Sequence, residues 1–364
     1  MITGNKGEWS EIYTLFKLLG DKQLFLGNKE IEKLEGIVYP ILRVLRTENN
    51  HDFEYSIQDK IILISGGDEV LKIQISEFKQ KAKVLLEKIK ENKGRAFSVP
   101  EIERFMQSIN CISLKAGSTA KTDITIVVHD QITNQQPTLG FSIKSQLGSP
   151  STLLNPGKTT NFIFKIAGEI DNSEVETINS MVIKRGKKNS IDLKRRVKSI
   201  LAKGCELNFF KNERLIFSNN LILIDSRLPE ILSQIVYEFY SSNKSKITDL
   251  VENTSIRNPM NFDTSNEHRF YEYKIKRFLT DIALGMMPSK VWTGKYDATG
   301  GYLIVKENGD VFCYHIYNKN EFENYLFNNT KLETASTSKF DFGSVYEENG
   351  ELFFKLNLQI RFIK

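Results

Sequence analysis

Two short apolar runs near the middle of the chain, 124–128 (ITIVV) and 139–144 (LGFSIK), flank the polar stretch 129–137. Their length, β-branched content and spacing predict two strands joined as a hairpin, which commits this region to a sheet. An acid, Asp123, opens the first strand and a lysine, Lys144, stands at the exit of the second. A loop rich in Ser, Thr, Asn, Gly and Pro follows, so that one acid, one lysine and one polar loop lie at neighbouring strand ends.

The chain has 364 residues, enough for one elaborate domain or two. Its 40% apolar and 26% charged fractions are those of a soluble globular protein, and the net charge of +5 is mild. Three cysteines, Cys111, Cys205 and Cys313, are too widely spaced for a metal-binding CxxC pair and odd in number, which implies a reducing cytoplasmic setting. The charged N-terminus lacks the apolar core of a signal peptide, and no apolar run reaches the length of a membrane span, so no membrane role is expected.

Residues 7–19 place Ile12, Leu15, Phe16 and Leu19 on one helical face, with Glu8 on that face and Glu11 at its border. Acids here have two readings: a solvated helix start favoured by the dipole, or Glu11 pointing into a metal site. The pattern over 30–46 predicts a second amphipathic helix broken near Pro40. Residues 53–75 alternate like strands around the turn 65–68, 77–93 form a lysine-rich amphipathic helix, and a short helix starts at Pro100. The stretch 181–203 is strongly basic; a helix over 191–202 leaves its cations either as a solvated face or as a phosphate contact. A further helix is expected within 267–286. Strands over 300–317 and 343–362 turn at Asn308-Gly309 and Asn349-Gly350, the strongest hairpin signals present.

Phosphodiester hydrolysis needs a nucleophilic water, neutralisation of phosphoryl charge and help for the leaving oxygen. Mg²⁺ serves all three and prefers a few carboxylates plus water and phosphate oxygens. On this reading Asp123 is the main ligand, with Glu11 and a strand carbonyl beside it, while Lys144 orients the water and Gln146, on the same strand face, hydrogen-bonds nearby. An acid followed about twenty residues later by a lysine is common by chance, and the motif alone is weak.

The segments NKGEWSEIY, TDITI, GFSIKSQLGSPSTLLN, TTNFIFKI, YDATGGYLIVK, CYHIYN and KLNLQIRF, spread over nearly the whole chain, resemble the HpaII-type restriction endonucleases. The resemblance implies a type II restriction enzyme with a PD-(D/E)xK-like core of α/β (α+β) class: a mixed central sheet flanked by helices, with additional α/β elements on the C-terminal side. It implies Mg²⁺-dependent cleavage of double-stranded DNA at a short palindrome, with CCGG as the first expectation from the family's namesake, a homodimer, and a cognate cytosine methyltransferase protecting the host. Thr122 stands where the motif has proline. Ser142 stands where it has its second acid, and serine supplies no carboxylate. Glu11 is the chosen replacement, since KGEWSE resembles the opening of several such nucleases, with Glu8 in reserve and Glu169 a third candidate.

DNA contacts are expected from Lys115 and Lys121, from Ser149, Thr152, Asn155, Lys158 and Asn161 in the loop after Lys144, and from Arg195, Arg257, Lys274 and Arg277. The loop has the alternative reading of a segment solvated by its own side chains. Residues 1–170 are expected to form the nuclease core and 171–364 a basic DNA-binding and dimerisation region, either separate from the core or packed with it. The four histidines form no metal cluster and no nucleotide-binding GxxxxGK[ST] loop exists; His315 reads as a core residue. A second hypothesis is a non-catalytic DNA-binding protein on a degenerate nuclease fold, since Ser142 removes an acid.

Overall fold

Helix α1 (Lys6–Asp21) starts where Asn5 caps it: the Asn5 side chain accepts from the Glu8 amide at 3.1 Å, and the Glu8 carboxylate accepts from the Asn5 amide at 2.8 Å. Its stripe of Trp9, Ile12, Tyr13, Phe16 and Leu19 is buried. Burial of each such side chain contributes on the order of 1.5–3 kcal/mol. The computed structural model describes residues 1–67, 70–116, 122–131, 133–185 and 188–363, the side chains of residues 185 and 188 excepted.

Strands β1 (Gln23–Gly27), β2 (Lys33–Glu48), β3 (His51–Gln58), β4 (Ile61–Ser65) and β5 (Leu71–Gln74) follow α1, and helices α2 (Ile75–Glu91) and α3 (Pro100–Ser108) come next. The helix expected over 30–46 is therefore wrong, because that segment is strand β2. Its apolar spacing imitates a helical period, but a β-bulge between Ile41 and Arg43 shifts the alternation, and partners on both sides claim its backbone. Pro40, which lacks an N–H, sits where pairing passes from β1 to β6 (Ile124–Val128). Strand β7 (Thr138–Ser145) returns antiparallel to β6, with Ile124 opposite Phe141.

Downstream, β8 (Thr152–Leu154) and β9 (Asn161–Ala167) precede α4 (Asn172–Ser180), the hairpin β10 (Val182–Arg185) and β11 (Lys188–Ile191), α5 (Leu193–Ala202) and β12 (Glu206–Asn212). Helices α6 (Leu215–Ile224), α7 (Leu228–Ser241), α8 (Ile247–Arg257) and α9 (Phe270–Leu284) lead to β13 (Gly301–Val305) and β14 (Val311–His315). The chain ends with α10 (Lys319–Asn328), β15 (Thr330–Leu332), α11 (Thr337–Phe340), β16 (Val345–Glu348), β17 (Glu351–Asn357) and β18 (Ile360–Phe362). Asn349 and Gly350, at φ 56° and 77°, make the tight turn between β16 and β17, as their pairing in sequence predicts.

The large sheet has nine strands in the order β1-β14-β13-β7-β6-β2-β3-β4-β5 and is mixed, because β13 runs parallel to β7 and β14 parallel to β1. Helices α1, α2 and α3 cover one face, where Phe141, Ile143, Leu303 and Val305 join their core. The alternating partners Tyr302 and Ile304 face the second core, built around α5 to α10 and the smaller sheets. Residue 170 is crossed in both directions: β13 and β14 complete the large sheet, while β8 and β9 belong to the smaller ones. Strands from before and after residue 170 therefore share sheets. His315 is buried at 1% exposure, and burial pushes its pKa down to about 4, consistent with a core residue.

Candidate active site

The β6–β7 ladder fixes Asp123 one residue before β6. Its amide donates to the Phe141 carbonyl at 2.8 Å, and its carboxylate oxygen Oδ2 accepts from the Ile143 amide at 2.6 Å and from the Ser142 hydroxyl at 3.0 Å. Ser142 is 3% exposed, so its hydroxyl is committed to Asp123. The position where an acid was expected thus anchors Asp123 through its hydroxyl. Thr122, in place of the motif's proline, donates its hydroxyl to the Asp297 carbonyl at 3.0 Å. Gly140 allows this approach, since a Cβ there would lie 2.9 Å from Thr122 Oγ1.

Lys144 lies on β7 in register with Ile304 of β13, and its ammonium sits 5.2 Å from the centre of the Tyr302 ring. Burial pulls its pKa below the usual lysine value, while Asp123 and Glu11 oppose that shift. Glu11 comes from α1, and its carboxyl is pushed up to about 8, first by burial and then by repulsion from Asp123, with Lys115 and Arg46 pulling the other way. One basic and two acidic groups from three elements therefore share one electrostatic neighbourhood. Gln146 continues the strand, donating its amide to the Val305 carbonyl at 2.8 Å, and lines a small recess with Lys144 and Ser145.

Glu8 takes a different course from Glu11. It closes the α1 capping box and pairs with Lys115 at 3.2 Å, and the Asn5 amide holds its pKa below the usual range. Among the described residues no three His, Cys, Asp or Glu side chains gather into a metal-holding group, so Asp123, Glu11 and Glu8 do not form a three-carboxylate site.

Two clefts meet the strand ends. One, of about 430 Å³, is lined by Asp123, Thr122, Arg46, Asp52 and Glu54. The other, of about 960 Å³, is lined by Glu11, Ser145, Ser149 and Ser151 together with Lys6, Lys90, Lys93 and Arg95. Those four cations were missed by sequence reasoning. The lysine-rich character of α2 was the available signal, but nothing local shows that its end faces Glu11. Arg46 was also missed: it is buried, with Nε 2.6 Å from Glu48 and its guanidinium 2.5 Å from the Ser113 carbonyl.

The remaining expected DNA contacts are dispersed. Ser149 and Asn155 are exposed, Thr152 on β8 accepts from Arg361 at 3.3 Å, and Lys158 pairs with Asp341 at 3.5 Å. Asn161 is a correction: it is fully buried, donating to Glu213 at 2.6 Å and to the Phe340 carbonyl at 2.9 Å, so its amide ties β9 into the core and is closed to DNA. Lys121 lies outside the described residues. Arg195 is exposed on α5, whereas its neighbour Arg196 is buried and donates to main-chain carbonyls, including that of Gly343 at 2.7 Å. Arg257 pairs with Glu238 at 3.2 Å, Arg277 with Asp281 at 3.5 Å and Lys274 with Asp225, which leaves these cations engaged within the C-terminal helices. Cys111, Cys205 and Cys313 are free and buried. No helix of the described residues is long and apolar enough to cross a membrane.

The family model described as HpaII restriction endonuclease matches residues 5–362. The type II restriction enzyme HpaII of Haemophilus parainfluenzae is 50% identical over 364 residues, covering 99% of this chain and 99% of that protein. No solved structure matches the chain. A family match over nearly the full length, joined to an acid and a lysine at adjoining ends of two central strands and a helix-borne glutamate beside them, leaves a single conclusion: the chain belongs to the HpaII restriction endonuclease family and is a type II restriction enzyme.

Proposed function

We propose that the protein hydrolyses phosphodiester bonds of double-stranded DNA at a short palindrome, CCGG being the first sequence to test, with Mg²⁺ as cofactor and a PD-(D/E)xK-like core. The observation that carries this reading is the meeting of Asp123, Lys144 and Glu11 in one field, with Asp123 and Lys144 on adjoining ends of β6 and β7. The donor set fits a hard dication: two carboxylates from different elements, main-chain carbonyls at the strand ends, and no thiolate or imidazole. Burial and, after it, repulsion from Asp123 raise the Glu11 pKa, and a bound dication would relieve the repulsion. Bound there, Mg²⁺ would supply charge neutralisation on the phosphoryl group and acidify water.

The chain's own residues do the rest. Asp123 is held in one orientation by the Ile143 amide and the Ser142 hydroxyl. Lys144 places a desolvated cation where charge develops on the phosphoryl oxygens, and it orients the attacking water. Gln146 hydrogen-bonds that water or the DNA. A palindromic target calls for two-fold symmetry, hence a homodimer, with residues 171–364 supplying further DNA contacts and the dimer surface. A cognate methyltransferase in the same cytoplasm would protect the host's own sites.

Incubation of the purified protein with plasmid DNA, with Mg²⁺ or with a chelator, tests the proposal. Discrete fragments that require the metal are expected, and intact plasmid under both conditions contradicts it. For the metal role, Glu11→Gln is expected to slow cleavage far more than Glu8→Gln. It is also expected to reduce the Ca²⁺-induced rise in melting temperature, which Glu8→Gln leaves in place. The reverse order assigns the ligand to Glu8.

A further inference from the structure

The cleft of about 960 Å³ beside Glu11 has a charge pattern that the chemistry at Asp123 and Lys144 does not need. Four of its lining side chains are cations from two parts of the chain: Lys6 on α1, and Lys90 near the end of α2 with Lys93 and Arg95 just beyond it. Glu11 is the acid among its lining residues. Lys90, Lys93 and Arg95 are exposed, and among the described residues none of the four cations is in an ion pair. Ser149 and Ser151, from the loop that follows Lys144, line the same cleft. The cleft that contains Asp123 has the contrasting lining, with Asp52 and Glu54 set against Arg46, which Glu48 already neutralises.

Unpaired cations and hydroxyls lining one groove suit a chain of phosphates, which accept from both. We propose that this cleft is the track for the DNA backbone on one side of the scissile bond. Lys6, Lys90, Lys93 and Arg95 hold consecutive phosphates, and the strand reaches Lys144 past Glu11. The assignment rests on the proposed nuclease function and adds to it the direction from which the strand enters and the residues that carry it. These contacts read no bases; they add affinity and set register.

The test is the salt dependence of duplex binding by the full-length protein, measured in Ca²⁺ on a CCGG duplex and on an unrelated duplex. The Lys90→Gln/Lys93→Gln/Arg95→Gln variant is expected to bind both duplexes more weakly by the same factor. Its slope of log affinity against log salt should be smaller by about 0.9 for each phosphate that the variant no longer neutralises. A control, Lys60→Gln/Lys72→Gln/Lys83→Gln, removes the same charge from exposed positions outside the cleft and is expected to keep the wild-type slope. The substituted side chains are exposed, so the melting temperature serves as the check on folding. A wild-type protein that cuts DNA, paired with a cleft variant whose slope matches the control, overturns the cleft assignment alone. A wild-type protein that neither binds nor cuts duplex DNA overturns the nuclease reading and the track with it.

Discussion

Lys144→Ala and Asp123→Asn are expected to abolish cleavage while leaving duplex binding in Ca²⁺ close to wild type. Removing one preorganised donor from a developing negative charge costs about 10²–10³ in rate, which sets the expected loss for Lys144→Ala. Asp123→Asn should lose at least as much, because the amide keeps the bonds from Ile143 and Ser142 but gives up the ligand charge. Single-turnover cleavage of a CCGG duplex in Mg²⁺ measures both. Either variant cutting within about tenfold of wild type, well inside the 10²–10³ expected for such a donor, would remove that residue from the mechanism.

The largest effect on stability is expected at Glu48. Its carboxylate meets Arg46 at 2.6 Å and accepts from the Ser113 hydroxyl at 2.7 Å, and the two charged side chains, Arg46 and Glu48, are only 5% and 3% exposed. The same guanidinium donates to the Ser113 carbonyl, so the pair fastens the segment beyond α3 to strand β2, on the approach to Asp123. Removing one partner of a buried pair leaves an uncompensated charge and costs about 3–5 kcal/mol. Glu48→Ala should lose that much in chemical denaturation, and Arg46→Met/Glu48→Leu should recover most of it, since both charges then go together. A Glu48→Ala protein within about 1 kcal/mol of wild type, far below the 3–5 kcal/mol cost of an unpaired buried charge, would show that the pair carries no such burden.

What the sequence made legible follows from the range of the interactions. Helix α1 announces itself by periodicity and its Asn5 cap, α2 by periodicity, α3 by the proline at its start, and Asn349-Gly350 by the backbone its turn requires. Strand β2 was misread because its bulge and its partners lie in other segments, and pairing overrode the local pattern. The insertion of β13 beside β7 joins residues about 160 apart and leaves no local mark. At the candidate site, Asp123, Lys144 and Ser142 stand out in the sequence; the hydrogen bond from Ser142 to Asp123 does not, because it depends on strand register. Asn161 was misread for the same reason: a polar residue in a polar loop also suits a buried strand start whose partners come from Glu213 and Asn357. Lys6, Lys90, Lys93 and Arg95 gain meaning only when α1 and α2 pack together.

Asp123, Lys144 and Glu11 are proposed to make this chain a metal-dependent, site-specific DNA hydrolase. Digestion of a DNA of known sequence in Mg²⁺, with every fragment end mapped, tests it most directly. All ends are expected to fall at one short palindrome, at the same position on both strands, and none to appear with Lys144→Ala. Ends scattered without a common sequence, or the same ends from the Lys144→Ala protein, would contradict it.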